Sequence, residues 1–464
     1  MEKDFNLALA LDDVLIVPQY SKVVTRKLID LKTKFSRNIS LSVPIVSANM
    51  DTVTESAMAI AMAREGGIGI IHRFMPIEQE VREVRQVKKA ETLVVNDPVT
   101  VSGESTLAEV LEVMKNSGIS SVLVTDKNGV LEGIITARDI RFRVDNHKKA
   151  AEIMTPKEKL ITASPDVKKE DVIGIFDKYK IEKLPLIDKD GKLQGLIAAA
   201  DFTKESKYRG ASKDNRGRLV VGAAIGVKDG EERAEKLVEA GVDVLIIDIA
   251  HGHHQSTIDL LTTLKRKHPN TDVVAGNVAT AEGVEDLIKA GADAIKIGIG
   301  PGKACSTRVV SGAGMPQFTA VWECSRAAKK YNIPVIADGG IKNSGDLAKV
   351  IGAGASTAMI GGLLAGTKES PGDYYIEDGV AYKIYRGLAS KAASIDQGRS
   401  ERAAEGISTT VAYKGDVAMI LRTLIDGLQS GMSYSGAENI VNFWEKVKFV
   451  RITSAGFNEG LPRR

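Results

Sequence analysis

The 464-residue chain is too long for one ordinary domain, and its 43% hydrophobic and 27% charged residues are those of an ordinary globular protein. With 63 basic against 60 acidic residues the net charge is only +3, which offers no basic field for nucleic acid or a membrane surface. No signal-peptide pattern opens the chain, and no apolar run approaches the roughly 18 residues of a membrane span. Two cysteines, Cys305 and Cys324, cannot build a disulfide framework, so the reducing cytoplasm is the expected compartment.

In chain order, the first expected strands are Pro44-Ile-Val-Ser47 and Gly67-Ile-Gly-Ile-Ile-His72. A different pattern follows. Ile119-Ser-Ser-Val-Leu-Val-Thr-Asp-Lys-Asn-Gly129 recurs as Ile181-Glu-Lys-Leu-Pro-Leu-Ile-Asp-Lys-Asp-Gly191, and Gly133 recurs at the same offset as Gly195. Each copy reads as strand, hairpin, strand and helix start, preceded by an extended stretch and an amphipathic helix. The strand pattern resumes at Leu219-Val-Val-Gly-Ala-Ala224. It then repeats as helix, Ala-Gly, strand in Leu237-Val-Glu-Ala-Gly-Val-Asp-Val-Leu-Ile-Ile-Asp248, and in the runs ending at Gly298 and Gly361. Asp272-Val-Val-Ala-Gly-Asn277 and Pro334-Val-Ile-Ala-Asp-Gly-Gly340 lie between them. Glycine closes the helices, and strands apolar on both faces are those of a parallel sheet. Eight such units with polar residues at each strand's C-terminal end predict a (β/α)8 TIM barrel rather than an open doubly wound sheet.

The sixth strand runs into Gly298-Ile-Gly-Pro-Gly-Lys-Ala-Cys-Ser-Thr-Arg308. Its alternate glycines let the backbone approach an ion or anion closely, and Cys305 on the rim is placed to attack a substrate. Most free cysteines are small buried hydrophobes, the reading that fits Cys324 in its helical run. His251-Gly-His-His254 has the look of a metal cluster but lacks a partner ligand at suitable spacing.

The segment Gly-Pro-Gly-x-x-Cys-x-Thr-Arg308, followed by Gly-x-Gly-x-Pro-Gln317, resembles the cysteine loop of the IMP dehydrogenase/GMP reductase family. So do Asp12-Asp-Val-Leu15, Pro44-Ile-Val-Ser-Ala-Asn-Met-Asp-Thr-Val-Thr-Glu55, Ala337-Asp-Gly-Gly-Ile341 and Tyr385-Arg-Gly387. The repeated segment resembles a tandem CBS pair inserted in the barrel. The implied domains are a first barrel part (1–92), the pair (93–206, halves 93–148 and 149–206), and a second barrel part (207–464) with catalytic loop and flap.

The resemblance implies that Cys305 adds to purine C2 as a thioimidate while a nicotinamide cofactor exchanges hydride there. Thr307 and Glu405 would handle the proton of a leaving amine. Ser47 and Met50 would approach the base. Asp338, Gly340, Gly361, Gly362, Tyr385 and Lys303 would hold ribose and phosphate. Asp248, Asn277, Gly298 and Gly300 would meet the cofactor. Carbonyls of Gly300, Gly302 and Cys305 would ligate potassium. Thr136, Asp139 and Asp201 would bind a regulatory purine nucleotide, with one nucleotide site expected because Ala198-Ala-Ala-Asp201 lacks the threonine. Family members form tetramers, which CBS pairs join into octamers. No nucleic acid or membrane partner is expected.

Two departures bear on function. Lys303 stands where the family usually has serine, so it would hold the phosphate by charge or fill the cation's space. In the flap, Ala392-Ala-Ser-Ile-Asp-Gln-Gly-Arg-Ser-Glu-Arg-Ala-Ala-Glu-Gly406, neither Arg399 nor Arg402 precedes tyrosine. Dehydrogenases of the family carry an Arg-Tyr pair there to activate hydrolytic water. Its loss favours NADPH-dependent deamination of GMP to IMP, and Arg402-Ala-Ala-Glu-Gly406, Lys414-Gly-Asp-Val417 and Ser433-Tyr-Ser-Gly-Ala437 resemble the reductase pattern. The alternative is NAD-dependent IMP dehydrogenase, in which CBS pairs are commoner. A nucleotide sensor without turnover would not need Cys305, Thr307 and Glu405 together, and a flavin barrel would not need the cysteine loop.

Overall fold

The computed structural model describes residues 7–90, 94–95, 98–141, 145–199, 208, 210–391 and 404–462. Two compact units emerge, residues 1–90 with 210–464 and residues 91–209, so the inserted unit reaches slightly beyond 93–206 on both sides.

The larger unit is a closed parallel barrel. Its strands are β1 (Ile45–Ser47), β2 (Ile68–Ile71), β3 (Gly222–Ile225), β4 (Val244–Asp248), β5 (Asp272–Val278), β6 (Ala294–Ile297), β7 (Val335–Asp338) and β8 (Thr357–Ile360), with β8 pairing back onto β1. All eight lie where the sequence placed them, with β3 and β5 each running one residue further. Around them run α1 (Ser56–Arg64), α2 (Ile77–Lys89), α3 (Gly230–Glu239), α4 (Gln255–Lys267), α5 (Ala281–Lys289), α6 (Gln317–Lys329), α7 (Ser344–Gly352) and α8 (Val417–Tyr434). Gly241 and Gly291 take φ of 88° and 105°, the left-handed conformation that ends α3 and α5 and releases the chain into the next strand. Val46, Ile70, Ile246, Val274, Ile336 and Met359 fill the barrel interior, while the other strand faces pack against the helices.

Beyond β8 an antiparallel sheet forms from Tyr375–Glu377, Val380–Arg386 and Ser408–Ala412. Its first turn places Asp378 and Gly379 at φ 49° and 76°, the Asp-Gly arrangement of a two-residue hairpin. This sheet delivers Tyr385 and the 404–407 segment to the barrel rim.

The inserted unit contains two sheets. One joins Thr100–Ser102, Ser121–Thr125, Leu131–Thr136 and Thr155–Pro156, and the other Lys183–Ile187, Leu193–Ala198 and Val94–Val95. The repeats share a cluster in which Leu123, Leu131 and Ile134 meet Leu160, Ile187 and Leu193. Within the barrel unit, next to the point where the insertion leaves α2, Lys88 is almost wholly buried. Its Nζ donates to Asp243 Oδ2 (2.6 Å), Asp214 Oδ2 (3.1 Å) and the Leu219 carbonyl (3.0 Å). Lys88→Met strands these carboxylates, and unfolding of the barrel unit in urea should show a loss of about 3–5 kcal/mol. A loss under about 1 kcal/mol would mean the pair is hydrated.

Among the described residues no helix is long and apolar enough to cross a membrane.

Candidate active site

After β6 the chain turns through the glycine loop to Cys305 and a one-turn helix, Thr307–Ser311. Cys305 is exposed, and its thiol donates to Thr307 Oγ1 at 3.2 Å. The Thr307 hydroxyl in turn donates to Glu405 Oε2 at 2.8 Å. Glu405 is distant in sequence, and backbone pairing brings it here. Ser306 N donates to the Glu405 carbonyl (2.9 Å) and Ile407 N to the Ala304 carbonyl (3.0 Å). Gly387 and Gly406 pack against this bridge, and a Cβ at Gly387 would lie 2.5 Å from the Ala304 carbonyl. The result is a proton relay in line, thiol to hydroxyl to carboxylate.

Two adjoining cavities open at the C-terminal rim and share Met50, Asp338 and Tyr385. One holds Cys305, Thr307, Glu405, Asp248 and Asn277, together with Gly298 and Gly300. The other holds Lys303, Gly340, Gly361, Gly362 and Lys414. The second is built for an anion. Lys303 lies along Gly362, where an added Cβ would meet its Cδ at 3.4 Å and the Tyr385 hydroxyl at 3.6 Å. Lys414 Nζ donates to the carbonyls of Gly362, Leu363 and Ala365 at 2.7–3.0 Å, clamping the turn after β8. Burial and then the charge of Lys303 push the Lys414 pKa down to about 8. Burial likewise pushes the Tyr385 phenol up to about 12, so it stays a neutral hydrogen-bond donor.

At the floor, Lys296 on β6 is buried and donates to Asp248 Oδ1 (2.9 Å) and Asp338 Oδ2 (2.7 Å). Burial works against its charge, but the two carboxylates together raise its pKa above the ordinary lysine value. Burial also opposes ionisation of Asp248, yet Lys296, Arg73 and Asn49 pull that carboxyl below its usual range. Asn277 Nδ2 donates to Asp338 Oδ2 and to the Gly298 carbonyl (2.9 and 2.8 Å). Its Oδ1 is buried without a hydrogen-bond partner, an acceptor fit for an amide or hydroxyl of a bound dinucleotide.

The model of the IMP dehydrogenase / GMP reductase domain matches residues 8–463. The chain belongs to the IMP dehydrogenase/GMP reductase family. It is 50% identical to an inosine-5'-monophosphate dehydrogenase of Aquifex aeolicus (99% of this chain, 96% of that one) and 46% identical to one of Nitrosopumilus maritimus (99% and 98%). Among solved structures it resembles a variant of GMP reductase from Trypanosoma brucei in complex with guanosine 5'-monophosphate, with TM-score 0.95, 43% identity, and 99% and 98% coverage. GMP reductase from the same organism in complex with guanosine 5'-triphosphate gives TM-score 0.85, 41% identity, and 97% and 99% coverage.

Most residues expected from the family's motifs meet at this rim, with one correction. Ser47 ends β1 wholly buried and accepts a hydrogen bond from Thr54 Oγ1, so it does not reach the cavity; Ala48, Asn49 and Met50 do. Lys303 runs along the Gly362 turn with its aliphatic stem. The carbonyl of Gly302 accepts from Cys305 N (3.0 Å), so one of the three oxygens expected to ligate potassium is engaged inside the loop. Three carbonyls of one loop do not by themselves make a cation shell. In the inserted unit, Thr136 donates to Asp139 Oδ2 through both its N and its Oγ1, forming the start of a helix. Asp201, Arg399 and Arg402 lie outside the described residues. His253 pairs with Asp286, and His254 caps α4.

Sequence reasoning passed over Lys296, Arg73 and Lys414 as parts of the site. The signal for Lys296 was present: a lysine inside a strand buried on both faces requires a carboxylate partner at the same level of the barrel.

Proposed function

We propose that this protein is a GMP reductase, converting GMP, NADPH and two protons to IMP, NADP+ and ammonium. The observation that carries the reading is the Cys305–Thr307–Glu405 relay (3.2 and 2.8 Å), a nucleophile joined to a carboxylate that can move the proton of a leaving amine. The phosphate would lie among Gly340, Gly361, Gly362, Tyr385 and Lys303, and the ribose at Asp338. Asp248 and Asn277, with Gly298 and Gly300, would hold the nicotinamide end of the cofactor, which supplies hydride to C2 when bound. Cys305 gives up its proton through Thr307 to Glu405 and bonds to C2. Glu405 then returns a proton through Thr307 to the 2-amino group, which leaves as ammonia. After reduction at C2, the carbon–sulfur bond breaks to free IMP and the thiolate.

The absence of an Arg-Tyr pair from residues 392–406 supports this direction, since no water-activating arginine of that pattern is encoded. A specific observation favours the second reading, NAD-dependent oxidation of IMP to XMP: relatives at 43–50% identity are named IMP dehydrogenases. The inserted unit, read as a CBS pair, would bind a regulatory purine nucleotide at Thr136 and Asp139 with Asp201. The triphosphate complex of the trypanosomal relative is in keeping with that. A homotetramer, joined into octamers through the insertion, completes the proposal.

Absorbance at 340 nm tests it in two cuvettes. Loss with GMP and NADPH alone is the expected result. A sustained gain with IMP, NAD and potassium makes the protein a dehydrogenase, whereas a single stoichiometric burst there leaves the reductase reading standing.

A further inference from the structure

Asp248 ends β4 and Asp338 ends β7, and they stand on opposite halves of the site. Asp338 is reached from both cavities, whereas Asp248 is reached only from the one that holds Cys305. One buried ammonium joins them. Lys296 spends its charge on one oxygen of each carboxylate, Asp248 Oδ1 and Asp338 Oδ2, which leaves Asp338 Oδ1 for a ligand. We propose that Lys296 is a positioning residue that keeps both carboxylates ionised and at a fixed separation, thereby registering the nucleotide's ribose against the cofactor's. The inference rests on the reading of Asp338 as the ribose site.

The physical case is one of unequal alternatives. Two carboxylates within the span of two hydrogen bonds on one nitrogen cannot both stay charged in a buried place without that nitrogen, and one retains a proton. A protonated Asp338 loses acceptor capacity toward ribose hydroxyls. Every neighbour facing the cluster fits this balance. Arg73, from the loop after β2, adds positive charge toward Asp248, and Asn49, from the loop after β1, hydrogen-bonds it. Asn277 on β5 donates to Asp338; Tyr385, Cys305 and Glu405 line the first cavity with it, and Asp12, Lys303, Arg308, Lys342 and Lys414 line the second. With Lys296 removed, Asp248 keeps Arg73 beside it, while the ammonium that both carboxylates share is gone.

The test measures GMP binding by calorimetry from pH 6.5 to 8.5 for wild type, Lys296→Met and the near-isosteric Lys296→Gln. Taking variant-to-wild-type ratios cancels the titration of GMP itself. The expected result is a Kd raised about tenfold or more at pH 6.5. The deficit should shrink as pH rises through the raised carboxyl pKa, because binding needs the ionised form. Adding Asp248→Asn to Lys296→Met removes the like charge, and should flatten the pH dependence and recover GMP affinity. The proposal is overturned by a ratio within twofold of unity, by a loss independent of pH, or by a double variant no better than the single. Should Lys296→Met not fold, Lys296→Gln carries the same comparison. Wild-type protein that binds neither GMP nor IMP overturns the parent reading and the proposal together. Wild type that binds, with variants that behave like it, overturns the proposal alone.

Discussion

In the Cys305→Ala variant, NADPH consumption with GMP should fall by about 10^4-fold or more, because on the proposed mechanism the whole reaction passes through a bond from Cys305 to C2. GMP affinity should change by no more than a few fold. The groups proposed to hold the phosphate, Gly340, Gly361, Gly362 and Lys303, line the second cavity, which Cys305 does not line, and the methyl group of alanine fits the exposed position. Calorimetry with GMP and a 340 nm assay on the same preparation check both halves. Residual turnover within tenfold of wild type would move the nucleophile elsewhere, since Cys324, buried in α6 with its thiol pushed up to about 12, cannot replace it.

The second large effect concerns Glu405. Glu405→Gln keeps the shape and can still bond Thr307, but an amide cannot accept and return a proton at neutral pH. Turnover should fall by about 10^2–10^4-fold. Glu405→Asp, with a carboxylate one carbon short of its 2.8 Å contact, should fall between the two. Steady-state kcat at saturating GMP measures this directly. A loss below tenfold in the glutamine variant would leave the amine's proton to another group and would remove the chief support for deamination.

The barrel was legible because much of its punctuation is local: the glycines after α3, α5 and α7 and the apolar runs that follow them state their conformations without help from the rest of the chain. The glycine loop that carries Cys305 to the rim was legible for the same reason. What escaped depends on closure. Ser47 and Met50 sit in one motif, yet the strand's alternation turns Ser47 toward Thr54 and only the following residues reach the cavity. Lys296 looked like one polar residue in an apolar strand until closure set it between two aspartates from β4 and β7. The sheet opened by the Asp378-Gly379 hairpin went unread, because it matters through what it carries to the rim.

The bridge that fixes Glu405 has a consequence for how such an enzyme changes over evolutionary time. Gly406 pairs with Cys305 on one side and with Ser390 on the other, so the two ends of the stretch between Ser390 and Gly406 are stapled together beside the nucleophile. Residues between Ser390 and Ala404 can be replaced, added or lost while Glu405, next to Gly406, stays in register. Doubling its length would cost only about 0.6 kcal/mol in closure entropy. On the proposed mechanism, the parts that make and break the bond at C2 are thereby held apart from a stretch whose sequence is free to change.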